Sequence, residues 1–103
     1  MNKNANFETD AVSLASSMSI RFLALRRKDG ALKLFRDLGT GKLYASGLFK
    51  LHDEIGFPLS FSLGECRKRG WEPCLMQFKA DAIRAGWSPV RAERVIREAK
   101  ADA

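Results

Sequence analysis

Few residues in this sequence have side chains suited to nucleophilic, metal or acid–base chemistry. Cys66, Cys74 and His52 are its only thiols and its only imidazole. A structural zinc site takes four Cys or His ligands, and these spacings fit no finger or ribbon. The cysteines therefore read as free thiols that pack as small apolar groups. His52 precedes Asp53, but adjacent residues on a helix do not face one another. The same argument separates Asp53 from Glu54 as a carboxylate pair. No Gly-x-Ser-x-Gly elbow is present. Gly39-Thr40-Gly41-Lys42 resembles the end of a phosphate loop but lacks the leading glycine at the required spacing. It reads as a hairpin turn. The sequence thus predicts no catalytic residue, no metal site, no cofactor and no enzyme.

Cations are the more informative group. Lys and Arg number 18 against 12 Asp and Glu, a net charge of +6. That balance favours a polyanionic partner. Arg26-Arg27-Lys28 stands beside a turn, Arg67-Lys68-Arg69 ends a helix next to Trp71, and Arg91, Arg94, Arg97 and Lys100 edge the last helix. Cations at a helix C-terminus are also favoured by the backbone dipole alone. If these groups share a face, they bind phosphates; if they scatter, they serve solubility. The candidate nucleic-acid contacts are Arg67, Lys68, Arg69, Arg91, Arg94 and Arg97. Phe57, Trp71 and Trp87 are candidate interaction residues, either bracing helix corners or offering rings to a base or a protein partner.

The elements that must position these groups follow from length and pattern. The chain has 103 residues, 46% hydrophobic and 29% charged, which suits one globular domain with a modest core. Residues 1–8 are polar and read as a disordered tail, with a single α+β domain over 9–103. Thr9 and Asp10 cap a short helix through Met18. Apolar density then predicts a three-stranded antiparallel meander over 19–46, with strands near 20–26, 31–37 and 42–46. Asp29-Gly30 forms the first turn and 38–41 the second. The middle run also fits a helical period through Leu32, Phe35 and Leu38.

From Gly47 onward, three corners punctuate the chain: Gly56-Phe57-Pro58, Gly70-Trp71-Glu72-Pro73 and Gly86-Trp87-Ser88-Pro89. Glycine stops a helix and proline starts one, so about four short helices are expected near 48–55, 63–69, 73–85 and 89–101. Ser62-x-x-Glu65 would cap the second. Asp53 is expected to brace the first corner. The second and third helices form a helix–turn–helix, but the third opens Pro73-Cys74-Leu75-Met76, too apolar to read base edges. Backbone contact is the better expectation.

Leu48-Phe49-Lys50-Leu51-His52-Asp53-Glu54-Ile55-Gly56-Phe57-Pro58-Leu59 resembles a segment of alanyl-tRNA synthetases that reads Phe-x-Leu-[Tyr/His]-Asp-Thr-Tyr-Gly-Phe-Pro. The similarity runs over 48–82 through Ser62, Gly70 and Phe78, with Asp53-x-x-Gly56-Phe57-Pro58 as its specific core. Glu54-Ile55 departs from the family's Thr-Tyr. In those enzymes the segment lies beyond the catalytic core, so the resemblance implies a helical module near tRNA and no aminoacylation.

No signal-peptide pattern opens the chain, and no run reaches the ~18 apolar residues of a membrane span. The sequence therefore predicts a cytoplasmic, non-enzymatic basic binding module for RNA or DNA backbone. The alternative is a small adaptor or inhibitor of another protein. Free strand edges would also allow a homodimer.

Overall fold

A computed structural model describes residues 18–20, 22–23 and 31–103. The expected tail at 1–8, the helix proposed from Thr9 up to residue 17, the Arg26-Arg27-Lys28 cluster and the Asp29-Gly30 turn lie outside the described residues. Strands β1 (Lys33–Arg36) and β2 (Leu43–Ser46) form an antiparallel hairpin in the register Lys33↔Ser46 to Arg36↔Leu43. Its turn is tied by the Asp37 carboxylate, which accepts from the Gly39 amide and the Thr40 hydroxyl, both at 3.0 Å. Arg36 Nη1 donates to the Gly41 carbonyl at 2.8 Å. Gly39-Thr40-Gly41-Lys42 is thus a hairpin turn, and the middle run is strand.

The expected first strand is a correction: residues 18–20 and 22–23 are helical. Helical spacing puts Ser19 and Phe22 on one face. Phe22 is fully buried against Phe57 and Phe61, and Ser19 hydrogen-bonds Glu65. A strand would send those two side chains to opposite faces.

The third strand of the sheet is instead β3 (Trp71–Pro73), paired parallel to β2 through Leu43↔Trp71, Tyr44↔Glu72 and Ala45↔Pro73. The Cys74 amide extends this pairing by donating to the Ala45 carbonyl at 2.8 Å. The sheet order is β1-β2-β3. It is mixed rather than an antiparallel meander, and it is not confined to the N-terminal half. Proline pushes the residue before it toward extended geometry, so Glu72-Pro73 forms a strand where a tight helix corner was expected. The class is α+β, but the two helices flanking Gly70-Trp71-Glu72-Pro73 are joined through a strand and are not a helix–turn–helix.

The helices are α1 (Leu48–Lys50), which passes directly into a π-helical segment (Leu51–Ile55), then α2 (Leu59–Arg69), α3 (Leu75–Arg84) and α4 (Pro89–Asp102). The corner glycines Gly56, Gly70 and Gly86 all take positive φ. Ser88 caps α4 by accepting from the Arg91 amide at 3.1 Å, with Pro89 in the first turn. The helices share one core, in which Leu63 and Cys66 of α2, Phe78 and Ala82 of α3, and Ala92 and Ala99 of α4 are buried.

The Ser62-x-x-Glu65 capping box does not form. α2 starts earlier, at Leu59 after Pro58, whose carbonyl accepts the Phe61 and Ser62 amides at 3.0 and 3.2 Å. Both Ser62 and Glu65 are therefore interior and buried. Ser62 Oγ has no hydrogen-bond partner among the described residues. A buried hydroxyl without a partner costs about 1–3 kcal/mol. Ser62→Ala is expected to raise stability by about 1 kcal/mol, read as a higher thermal midpoint; a lower midpoint would contradict the orphaned hydroxyl.

Candidate nucleic-acid interface

Helix α4 sets the geometry of the exposed cations. Ala92 and Ala99 are buried and Val95 and Ile96 half-buried, so this stripe faces the core. Arg91, Arg94, Arg97 and Lys100 are exposed. Each step of three residues falls about 60° short of a full turn. The four cations therefore cross the outer surface diagonally, over about 14 Å of helix axis. Glu93, on the same surface, is bonded to Lys79 of α3. That hydrogen bond and the Lys79 charge, helped by Arg97, hold its carboxyl below the ordinary range.

An indole lies at each end of this run. At the N-terminal end the Arg91 guanidinium sits over the Trp87 ring, 3.8 Å from its centroid. Trp87 in turn meets Phe49, Phe78 and His52 edge-on. At the C-terminal end Lys100 and Arg67 of α2 line one cleft of about 360 Å³ with Trp71, Glu72 and Leu75.

The other two cations of the helix-end cluster are turned elsewhere. Arg69 bonds the Glu65 carboxylate and carbonyl and donates to Ser19 Oγ at 3.0 Å. Its guanidinium also lies 5.7 Å from the Trp71 ring centroid and 6.0 Å from that of Phe22. Lys68 pairs with the other Glu65 oxygen at 3.1 Å. Burial alone would raise the Glu65 pKa. Hydrogen bonds from Ser19, Lys68 and Arg69, with the Arg69 charge, overcome burial and lower it. Arg69 is thus a brace holding the helical residues 18–20 and 22–23 to α2. The six candidate contacts do not converge on one patch: Arg91, Arg94 and Arg97 follow α4, Arg67 meets that run at its end, Lys68 leans to Glu65, and Arg69 is withdrawn. The signal was present in the sequence, because Glu65 precedes Lys68 and Arg69 by three and four residues, the spacing of helical ion pairs.

Of the aromatic corners, Phe57 is a correction. It is buried, stacked on Phe61 at 5.3 Å and edge-on to Phe22, so it belongs to the core and is no interface anchor. Trp71 and Trp87 remain half-buried. The first corner is braced by His52 rather than Asp53. His52 Nδ1 lies 3.1 Å from the Phe57 carbonyl, and since a carbonyl only accepts, Nδ1 carries the proton. Asp53 is exposed and its carboxylate has no partner among the described residues.

Cys66 and Cys74 are both free. Burial pushes the Cys66 thiol up to about 11, and burial with the nearby Glu72 raises Cys74, so both stay protonated at neutral pH. Among the described residues, no three His, Cys, Asp or Glu side chains are grouped to hold a metal ion.

The fold and site define a small α+β domain with a mixed three-stranded sheet and a cationic helix face. Compared with known proteins, it matches no family model, no curated protein and no solved structure. Among the described residues, no helix is long and apolar enough to cross a membrane.

Proposed function

We propose that the chain is a non-enzymatic basic module that contacts the backbone of nucleic acid along the outer surface of α4. One observation carries this reading. Arg91, Arg94, Arg97 and Lys100 form an exposed run, offset in part by Glu93 and Glu98 on the same helix, that ends at the cleft Arg67 lines, with Trp87 and Trp71 at its two ends. Phosphate contacts of this kind fix position without reading sequence. The resemblance of 48–82 to the synthetase segment makes tRNA the first RNA to try, and two free thiols suit a reducing, cytoplasmic compartment.

The test is fluorescence anisotropy with labelled tRNA and duplex DNA across a salt series. The expected Kd at low salt is below about 10 µM, in the range of sequence-independent backbone binding. Joint replacement of Arg94, Arg97 and Lys100 by alanine removes only exposed side chains. It is expected to weaken binding at least about tenfold and to flatten the log–log salt slope by about 2–3, at 0.7–0.9 per lost phosphate contact. Absence of salt-sensitive binding overturns the assignment.

The second reading is a protein adaptor. It is favoured by Leu38, Met76 and Val90, which are large, apolar and exposed. β1 pairs only with β2 among the described residues, so a strand-edge homodimer belongs to the same reading. Exposed Lys33 and Arg36 on this four-residue strand oppose such pairing. A stoichiometric protein retained after nuclease treatment, with no nucleic-acid affinity, would move the assignment there.

A further inference from the structure

The geometry points to a second contact surface, on the outer face of the sheet, that takes the unstacked bases of single-stranded nucleic acid. It rests on the polyanion reading above but uses none of the α4 cations. The pairing Phe35↔Tyr44 puts both rings on one face of the hairpin, where they lie nearly parallel, 10° apart with centroids at 5.5 Å. The opposite face carries Leu34 and Ala45, which turn to the core. Phe35 is 50% exposed. An aromatic ring on a short strand normally gains its stability by burial, and this one leaves half its surface in water.

What flanks the rings identifies the occupant. Two shallow hollows border the pair. One, of about 430 Å³, is lined by Lys33, Ser46, Gln77 and Arg84 among others; the second, of about 520 Å³, by Lys42, Tyr44 and Met76 among others. Carboxylates also reach these hollows, but each is already neutralised. Asp81 accepts from Gln77 at 2.8 Å and from Arg84 at 2.9 Å, and Glu72 pairs with Lys42 at 3.4 Å. Lys33 has no acidic partner among the described residues, so the surface keeps a positive balance around a half-exposed aromatic ring. A nucleotide meets both demands: a flat base for the ring and a phosphate for Lys33. A duplex does not, because its base faces are stacked inside the helix.

The experiment compares a labelled oligouridylate with a blunt RNA duplex, using the full chain and the variants Phe35→Leu and Phe35→Tyr. The Tyr variant keeps the ring, and circular dichroism confirms that each is folded. The expected result is that Phe35→Leu loses about tenfold in oligouridylate affinity, within the range for one base–aromatic stack. Duplex affinity should be unchanged, and Phe35→Tyr should restore single-strand binding. Equal affinity of wild type and Phe35→Leu for the oligouridylate overturns this inference while leaving the α4 reading intact. Binding of neither nucleic acid by the wild type overturns both.

Discussion

Gly47→Ala is expected to cost about 3–5 kcal/mol, lowering the thermal midpoint by roughly 15–25 °C for a domain of this size. Two independent effects add. Gly47 holds φ +83 between β2 and α1, a conformation that penalises any side chain. An added Cβ would also lie inside the envelope of the Ala31 carbonyl oxygen and 2.9 Å from its carbon. That neighbour is backbone, and Ala31 and Leu32 are both buried, so the approach to β1 cannot swing aside as a surface side chain would. Gly41→Ala is the control. It has φ +76 but nothing within 4 Å of the new Cβ, so it carries only the conformational penalty, about 1 kcal/mol. Thermal unfolding of both variants checks the argument: similar midpoints would mean that the close approach of Ala31 to Gly47 does not exist.

Gly47 also marks where sequence reasoning reaches its limit. The corner glycines were legible as helix stops, and the helix C-termini they fix are close to those expected, although Pro73 lies in β3 rather than starting a helix. The β1–β2 hairpin was legible because its turn residues sit between two apolar runs. Gly47 carries no local sign of its role, since the atom that crowds it comes from Ala31, sixteen positions away in the chain. The strand at Trp71–Pro73 was hidden for a related reason. Three residues are too few to show a period, and their pairing with β2 is a tertiary choice. The apolar run after Ser19 misled because density alone does not separate strand from helix; burial of Phe22 beside Phe57 decides it. In the candidate site, the exposed run on α4 could be read from its three-residue spacing. The spacing of Glu65 from Lys68 and Arg69 signals their pairing, but the withdrawal of Arg69 from that set also needs the burial of Glu65, which pattern alone does not show.

That burial makes Glu65→Gln the second large effect. The Glu65 carboxylate is 4% exposed as a residue and collects Ser19, Lys68 and Arg69. Removing one partner of a buried ion pair typically costs 3–5 kcal/mol, because the remaining charge is left uncompensated. Here Arg69 retains part of its exposure and its contacts with Trp71 and Phe22, so about 3 kcal/mol is expected. The sign with pH follows from the lowered pKa. Unfolded, the carboxyl titrates near 4.5; folded, it titrates lower. Its contribution is therefore complete above about 4.5 and fades as pH falls through the folded value. Melting curves of wild type and Glu65→Gln should be well separated at neutral pH and converge in acid, where the protonated wild-type side chain resembles the amide. Arg69→Met tests the same brace from the other side. It should lower stability at neutral pH yet leave the salt slope of nucleic-acid binding unchanged, whereas loss of Arg94, Arg97 and Lys100 should do the reverse. A flattened slope in Arg69→Met would return Arg69 to the phosphate-binding surface, and coincident neutral-pH melting of wild type and Glu65→Gln would remove the brace altogether.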